Sequence, residues 1–361
     1  MTTKRPPQSE LNRRRRLLMD MMGDNAIAII PAAPVHIRNR DVHYPYRQDS
    51  DFMYLTDFLE PEAVAVFIPG REQGEFILFC RERDEAKEIW DGWRVGQEGA
   101  VSDFGADDAF PIEDIDDILP GLLERQSRVY YTMGKHAEFD AQLMGWVNDL
   151  RRKSRVGRAA PYQFIDLEYL VHDMRLFKSR SEVALMRKAA AVTVAAHKRA
   201  MRVCQPGMHE HTIEAELLHT FRVADTEPAY PSIVGGGING CILHYIDNCS
   251  VLNDGDLLLI DAGAEYSGYA SDVTRTFPVN GKFSSAQKEI YEVVLKAQEA
   301  AIKKAIPGNH WNEPHEAAVK ELAQGMADIG LLNGDASQLI EDGHYKKFFM
   351  HKTGHWLGMD V

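Results

Sequence analysis

Asp261 and Asp272 are the residues whose types and spacing point most directly to chemistry. They lie eleven positions apart in LLLIDAGAEYSGYASDVTRTF, where two β-like runs flank a short turn. A turn centred on Tyr266 and Ser267 would place the two carboxylates directly opposite each other. Opposite residues of an antiparallel pair have Cβ atoms about 4.5 to 5.5 Å apart on one face. Carboxylates that close repel unless a shared proton or divalent cations lie between them.

Divalent metal ions suit a protein working near neutral pH better than a shared proton does, because they activate water as a nucleophile. Asp261 also ends the apolar run LLLI, where a charge that faces the core needs compensation. A structural interpretation stays open, in which Asp261 lies beside a turn and Asp272 is an edge-strand charge or a cap.

Histidines supply further candidate ligands. His355, in HKTGHWLGMDV, is one, because a neutral imidazole beside carboxylates suits a borderline divalent ion. His351 lies four residues earlier, but Gly354 favours a strand or loop over a helix. Lys352 occupies the place of the glutamate in an HExxH motif, which excludes a zincin-type site.

His244 lies in CILHYIDN, on a strand predicted over 241–246 ahead of the aspartates. A lone histidine on a strand is more often structural than functional, and both interpretations stay open.

The surrounding pattern predicts two domains of mixed α/β (α+β) class. Four β-like runs precede residue 161 and alternate with helical stretches such as 137–153: AIAII, AVAVFIP, EFILFC and RVYYTM. Two capping boxes, Ser179 with Glu182 and Ser284 with Gln287, then begin repeated helix, helix, strand units. We expect an N-terminal domain over 1–175 and a second domain over 176–361. Only 348–361 follows the second helix pair, so we expect the second repeat to be incomplete at its C-terminal end.

Composition excludes several classes. A net charge of -13 disfavours nucleic acid as a partner, and no apolar stretch is long enough to span a membrane. The basic cluster 13–16 is expected on the solvated face of a helix over 11–22. The four cysteines form no CxxC pair, so we expect reduced thiols and a cytoplasmic location.

Several motifs together resemble the aminopeptidase P family: IDAGAEYSGYASDVTRTFPVNG, NGCILHY and MHKTGHWLGMDV. The runs RDVHYPYRQDSDFMYLTDFLEPEAVAVFIPG and EIWDGWRVGQ resemble the accessory domain of aminopeptidase P and prolidase. The resemblance implies an accessory domain followed by a pita-bread metallopeptidase domain. It also implies two divalent metal ions, commonly Mn2+, and peptide substrates with proline at the second position.

Transferred onto this sequence, the resemblance implies that Asp261 binds one metal ion, Asp272 bridges both, and His355 completes part of the ligand set. The family's two glutamate ligands and a further active-site histidine have no counterpart in these 361 residues. We therefore expect the 361-residue chain by itself to bind metal weakly and to be inactive, and a longer parent protein to be active.

Four other residues match family positions that contact the peptide. His244 and His351 match histidines that help bind substrate and stabilise the transition state. Trp90 and Asp41 match positions that border a neighbouring subunit's active site in homo-oligomers, which implies a tetramer or dimer. For Trp90 the alternative is an aromatic residue without such a role.

Two other functions stay open. One is a prolidase-type dipeptidase, which cuts only dipeptides. The other is a non-catalytic pita-bread binding module of the kind found in histone-chaperone relatives, which the retention of both aspartates and His355 disfavours.

Overall fold

The computed structural model describes residues 5–361, and its contacts divide the chain into two compact units, Met1–Ala184 and Leu185–Val361. The division falls inside the helix Arg180–Val203. The domain division at residue 175 stays a prediction.

The first unit is built on a mixed six-stranded sheet with the strand order β6-β5-β4-β1-β7-β8. Neighbours pair antiparallel from β1 through β4 to β5, and in parallel from β5 to β6 and from β1 through β7 to β8. A two-stranded β2-β3 hairpin lies apart from this sheet. The strands are β1 Ala26–Pro31, β2 Ile37–Asn39, β3 Val42–His43, β4 Val64–Phe67, β5 Phe76–Cys80, β6 Asp108–Pro111, β7 Arg128–Tyr130 and β8 Gln163–Ile165.

Every apolar run predicted as a strand in this part of the sequence forms one, because its side chains are buried in the core of the sheet. The predicted helix over 137–153 is also confirmed. The helices are α1 Gln8–Met22, α2 Ser50–Thr56, α3 Glu85–Asp91, α4 Gly96–Ser102, α5 Ile115–Leu123, α6 Ala137–Arg152 and α7 Glu168–Leu176.

The second unit contains two three-stranded sheets, in the orders β10-β11-β14 and β13-β12-β9. Its strands are β9 Glu227–Pro228, β10 Ile233–Gly236, β11 Leu257–Ala262, β12 Ala264–Tyr266, β13 Tyr269–Ala270 and β14 Val273–Pro278. Its helices are α8 Arg180–Val203, which begins in the first unit, α9 Glu210–Val223, α10 Ser285–Lys304, α11 Glu313–Asp328 and α12 Ala336–Glu341. Both capping boxes are present at the starts of α8 and α10, as predicted.

The predicted strand over 241–246 is wrong. A 3-10 helix, Gly237–Cys241, and a turn occupy this region, and the residues that follow do not join a sheet. At the C-terminal end, 348–361 forms a loop, which confirms the prediction that His351 and His355 do not share a helix. None of the helices described in residues 5–361 combines the length and apolar content that a membrane span needs.

The basic cluster of α1 is only partly solvated, which corrects the sequence-based expectation. Arg13 and Arg16 are exposed, but Arg14 and Arg15 are almost completely buried. The Arg14 guanidinium donates to the Tyr54 carbonyl oxygen over 2.9 Å and lies 4.1 Å from the centre of the Tyr54 ring.

Arg15 contacts three carbonyl groups. It donates to Leu55 over 2.8 Å, to Phe104 over 2.9 Å and to Gly105 over 3.1 Å. The last carbonyls of a helix have no intrahelical partner, and α2 ends at Thr56. The buried guanidinium of Arg15, which has five N–H donors, therefore caps α2. The helical periodicity of α1 does not indicate which of its arginines is buried.

We predict that Arg15→Met lowers the free energy of unfolding by about 3 kcal/mol, because three buried carbonyl oxygens lose a charged donor. Arg16→Met is the matched control, since Arg16 is exposed on the same helix. Urea unfolding followed by circular dichroism measures both, and equal midpoints for the two variants would contradict the capping role.

Candidate active site

Asp261 and Asp272 belong to a hairpin whose register differs from the predicted one. Asp261 pairs with Thr274, and Tyr266 pairs with Tyr269. The turn residues are therefore Ser267 and Gly268, whose φ angles are 51° and 77°. Positive φ at both central residues is typical of a type I′ turn, which fits the right-handed twist of the strands. The predicted turn centre was wrong because this turn chemistry was not recognised.

The corrected register keeps both aspartates on one face. Asp272 lies two residues before Thr274, and side chains two positions apart point to the same side of a strand. The aspartates are thus diagonal neighbours, which typically lie about 7 to 8 Å apart across a pair. That separation leaves room for a group between them.

Tyr230 occupies this position. Its hydroxyl group lies 2.6 Å from Asp261 Oδ1 and 3.0 Å from Asp272 Oδ1, so one phenolic proton is shared between two carboxylates. Burial raises the pKa of Tyr230, and the two aspartates raise it further. The phenol therefore stays protonated and acts as a donor.

Tyr230 was not predicted from the sequence. Its position directly before Pro231 is equally typical of a core tyrosine. Only the fold brings it to the aspartates, which follow it by 31 and 42 residues.

His355 adds a nitrogen donor on the other side of Asp272. Its Nε2 atom lies 2.9 Å from Asp272 Oδ2, and its Nδ1 atom lies 2.8 Å from the Trp356 carbonyl oxygen. Because a carbonyl oxygen can only accept, Nδ1 carries a proton, and Nε2 is the nitrogen that faces the carboxylate. Each oxygen of Asp272 thus has its own partner.

The strand break beside Asp272 is anchored from helix α8. Ser271 Oγ lies 2.7 Å from Thr193 Oγ1, which in turn accepts from the Ala264 amide over 2.8 Å. Gly263 lies so close to this break that a Cβ atom there would be 1.6 Å from the Ser271 carbonyl oxygen. Only glycine permits this approach, and the hydroxyl pair fixes the backbone next to Asp272.

The other predicted site residues do not join this cluster through direct contacts. His244 is exposed in the turn after the 3-10 helix Gly237–Cys241. His351 is exposed in the C-terminal loop, and its ring packs edge-on against Phe349 at 4.7 Å. In the first unit, Trp90 is 87% exposed on α3, and Asp41 is exposed at the turn between β2 and β3.

A second cluster of possible ligands lies in the first unit. Within residues 5–361, Asp51, Glu168 and His172 form the one group of three whose donor atoms all lie within 4.8 Å of one another. This group already has cationic partners, because Asp51 pairs with Arg175 and Glu168 with Lys135. We interpret it as an ion-pair network that needs no metal.

The aspartate pair in the second unit is different. In the described part of the chain, neither Asp261 nor Asp272 pairs with a lysine or arginine, and the nitrogen beside them is Nε2 of His355, 2.9 Å from Asp272 Oδ2. Two carboxylates that share one phenolic proton therefore carry uncompensated negative charge. Their oxygens and the His355 nitrogen form a donor set that fits a divalent metal ion.

We predict that Tyr230→Phe lowers the free energy of unfolding by about 1 to 2 kcal/mol, because both carboxylates lose their shared donor. Added Mn2+ should raise the melting temperature of this variant more than that of the unaltered protein, since the ion offsets the increased repulsion. Tyr266→Phe is the control, because the Tyr266 hydroxyl has no hydrogen-bond partner among the described residues. Equal responses of the two variants in a thermal melt would count against the shared donor.

The ion pair of His172 predicts a pH dependence. A hydrogen bond to Asp51 raises the pKa of His172 above its ordinary value of 6.5. This stabilisation is complete below pH 6.5 and is lost as the pH rises through the raised folded-state pKa. His172→Gln should flatten that part of the profile of unfolding free energy against pH, whereas His36→Gln, at an exposed histidine of the same unit, should not. An unchanged slope in His172→Gln would refute the linkage.

Comparisons with known proteins identify the family of both parts of the chain. Residues 184–361 match the model of metallopeptidase family M24, and residues 11–130 match that of the aminopeptidase P N-terminal domain. The Xaa-Pro aminopeptidase of Escherichia coli is 45% identical over 356 residues, which are 98% of this chain and 81% of that protein.

Solved structures give the same result. The structure of Pseudomonas aeruginosa aminopeptidase PepP has 57% sequence identity and a TM-score of 0.98, covering 99% of this chain and 81% of that one. Zinc-substituted Escherichia coli aminopeptidase P with bound product has 44% identity and a TM-score of 0.96, covering 99% and 81%. The chain therefore belongs to metallopeptidase family M24, and it carries the aminopeptidase P N-terminal domain ahead of the peptidase domain.

Proposed function

We propose that this protein is an Xaa-Pro aminopeptidase, a metal-dependent hydrolase that releases the N-terminal residue preceding proline. The observation that carries the proposal is the convergence of Asp261 and Asp272 on one phenol, with His355 on the free oxygen of Asp272. The names of the relatives support the substrate class.

Three residues hold the metal ions in this proposal. Asp261 would hold one ion, Asp272 would contribute its carboxylate to both, and His355 would supply Nε2. The oxygen-rich donor set favours Mn2+. When bound, the ions act as Lewis acids that polarise the scissile carbonyl and make water nucleophilic at neutral pH. Tyr230 keeps the two carboxylates oriented, and the Ser271 contact keeps the backbone beside Asp272 in place.

Peptide recognition is assigned to exposed groups. His244 and His351 present imidazoles that bind the peptide and stabilise the developing negative charge. Trp90 and Asp41 contribute across a subunit boundary of a tetramer or dimer. The cytoplasmic location likewise stays a prediction from composition.

A dedicated site for X-Pro bonds follows from the chemistry of proline. The imide nitrogen has no N–H to donate, and the ring restricts the residue before it. An aminopeptidase that depends on that donor or on that flexibility handles an X-Pro bond poorly, so a dedicated enzyme is expected for it.

We predict that the product of the full reading frame, loaded with Mn2+, cleaves the first bond of an Xaa-Pro-Xaa tripeptide and loses this activity on chelation. Asp272→Asn should lower kcat/KM at least about 100-fold, because it removes the negative charge of the one carboxylate assigned to both metal ions. Asp254→Asn is the control, since Asp254 is exposed and, among residues 5–361, its side chain hydrogen-bonds to Asn280 alone.

Gly-Pro is the second substrate in this test. Cleavage of Gly-Pro alone would replace the proposal with a dipeptidase. If neither substrate is cleaved while Mn2+ is bound stoichiometrically, the protein is a non-catalytic binding module.

A further inference from the structure

Glu210, the first residue of α9, has a completely buried carboxylate to which the proposed mechanism gives no role. Oε1 accepts from the Gly236 amide over 2.8 Å and from Asn239 Nδ2 over 3.0 Å. Oε2 accepts from the Tyr245 hydroxyl over 2.7 Å and from the Ser250 amide over 2.8 Å. All four donors are uncharged, so a buried ion is held by neutral groups alone.

The four donors belong to one stretch of chain, residues 236–250, which connects β10 to the segment leading into β11. They lie at its beginning, near its middle and at its end. Asn248 fixes the same stretch independently, since it accepts from the Val234 amide over 3.0 Å and donates to the Ser232 carbonyl oxygen over 2.8 Å. After Gly236, the last residue of β10, residues 237–250 contain no strand, so these contacts take the place of a sheet ladder in fixing their conformation.

The negative charge of Glu210 strengthens its hydrogen bonds to Gly236, Asn239, Tyr245 and Ser250, which together form a clamp on segment 236–250. Burial raises the pKa of Glu210, but the hydrogen bonds from Asn239, Gly236, Tyr245 and Ser250 together lower it below its ordinary value. Hydrogen bonds to an ionised acceptor are roughly twice as strong as neutral ones. The N-terminus of α9 adds further stabilisation for a negative charge. An ionised carboxylate is the one side chain of this size that accepts four hydrogen bonds without offering a donor.

His244 lies inside the clamped segment, directly before Tyr245. The Tyr245 side chain is buried against Glu210, whereas His244 is exposed. The segment emerges from β10, whose Ile233 pairs with Asp261. The clamp therefore fixes the exposed imidazole relative to the sheet that carries a proposed metal ligand.

We propose that Glu210 is a positioning residue: its buried carboxylate holds segment 236–250 so that the His244 imidazole is preorganised to contact the peptide substrate. The inference rests on the proposed function, because it assigns a purpose to the clamp only if His244 contacts the peptide. Preorganisation of this kind lowers the cost of ordering the group when substrate binds.

The test compares Glu210→Gln with Glu216→Gln in the product of the full reading frame. Glu216 lies on the same helix but pairs with Arg199 instead of contacting the segment. In Glu210→Gln an NH2 group replaces one of the two carboxylate oxygens, and this NH2 group faces hydrogen-bond donors instead of accepting from them. We expect amide hydrogen exchange within 237–249 to accelerate at least about tenfold, with no change in β1 and β4 of the first unit. Exchange in Glu216→Gln should match the unaltered protein.

Kinetics separate positioning from simple stabilisation. Glu210→Gln should lower kcat/KM for the tripeptide at least about fivefold in the unaltered background, but less than twofold when combined with His244→Ala, because coupled residues are non-additive. The positioning role is overturned if hydrogen exchange is unchanged in Glu210→Gln. It is also overturned if Glu210→Gln still lowers kcat/KM about fivefold when His244 is already alanine. Either result leaves the proposed function intact. If His244→Ala alone has normal kinetics, the peptide-binding role of His244 fails, and the inference fails with it.

Tyr245→Phe provides a second variant in case Glu210→Gln does not fold. It removes one of the four donors to Glu210, and the buried carboxylate keeps the other three. We expect the same two effects, each smaller than in Glu210→Gln. Amide hydrogen exchange should accelerate only within 237–249, and the decrease in kcat/KM should vanish when Tyr245→Phe is combined with His244→Ala. Additive losses in that combination would overturn the inference.

Discussion

The repulsion between the carboxylates of Asp261 and Asp272 is the constraint on which the site depends. Two negative charges on one face of a hairpin, with no lysine or arginine beside them in the described chain, are stable only if other groups compensate them. The fold supplies one phenolic proton from Tyr230 and one imidazole from His355. We propose that divalent metal ions complete this compensation, so that the same charges that oppose folding bind the metal.

Buried charges recur elsewhere in the molecule as clamps on irregular backbone. Arg15 caps the end of α2 through the Leu55 carbonyl group and also binds the carbonyl groups of Phe104 and Gly105. Glu210 fixes segment 236–250 through four neutral donors. In both places the ion is matched by backbone or uncharged groups, so removing it leaves several buried polar groups without partners. Such clamps give loops the rigidity that strands obtain from their ladders, which is what precise placement of exposed site residues requires.

Local signals in the sequence were sufficient for part of the regular structure and for placing the two aspartates on one hairpin. Apolar runs predicted the strands of the first sheet, and both capping boxes began helices where expected. The hairpin register was wrong because the Ser267–Gly268 turn was not recognised. Tyr230 and the burial of Arg15 depend on partners that are distant in sequence, and such contacts leave no periodicity to read. The strand predicted around His244 failed because hydrogen bonds to Glu210 replace the pairing that its apolar pattern suggested.

Electron paramagnetic resonance of the Mn2+-loaded protein tests whether Asp272 holds two metal ions, because two ions bridged by one carboxylate are exchange-coupled. We expect a coupled two-ion spectrum that Asp272→Asn converts into the spectrum of isolated ions. Isolated Mn2+ in the unaltered protein, or a coupled spectrum that persists in Asp272→Asn, would contradict it.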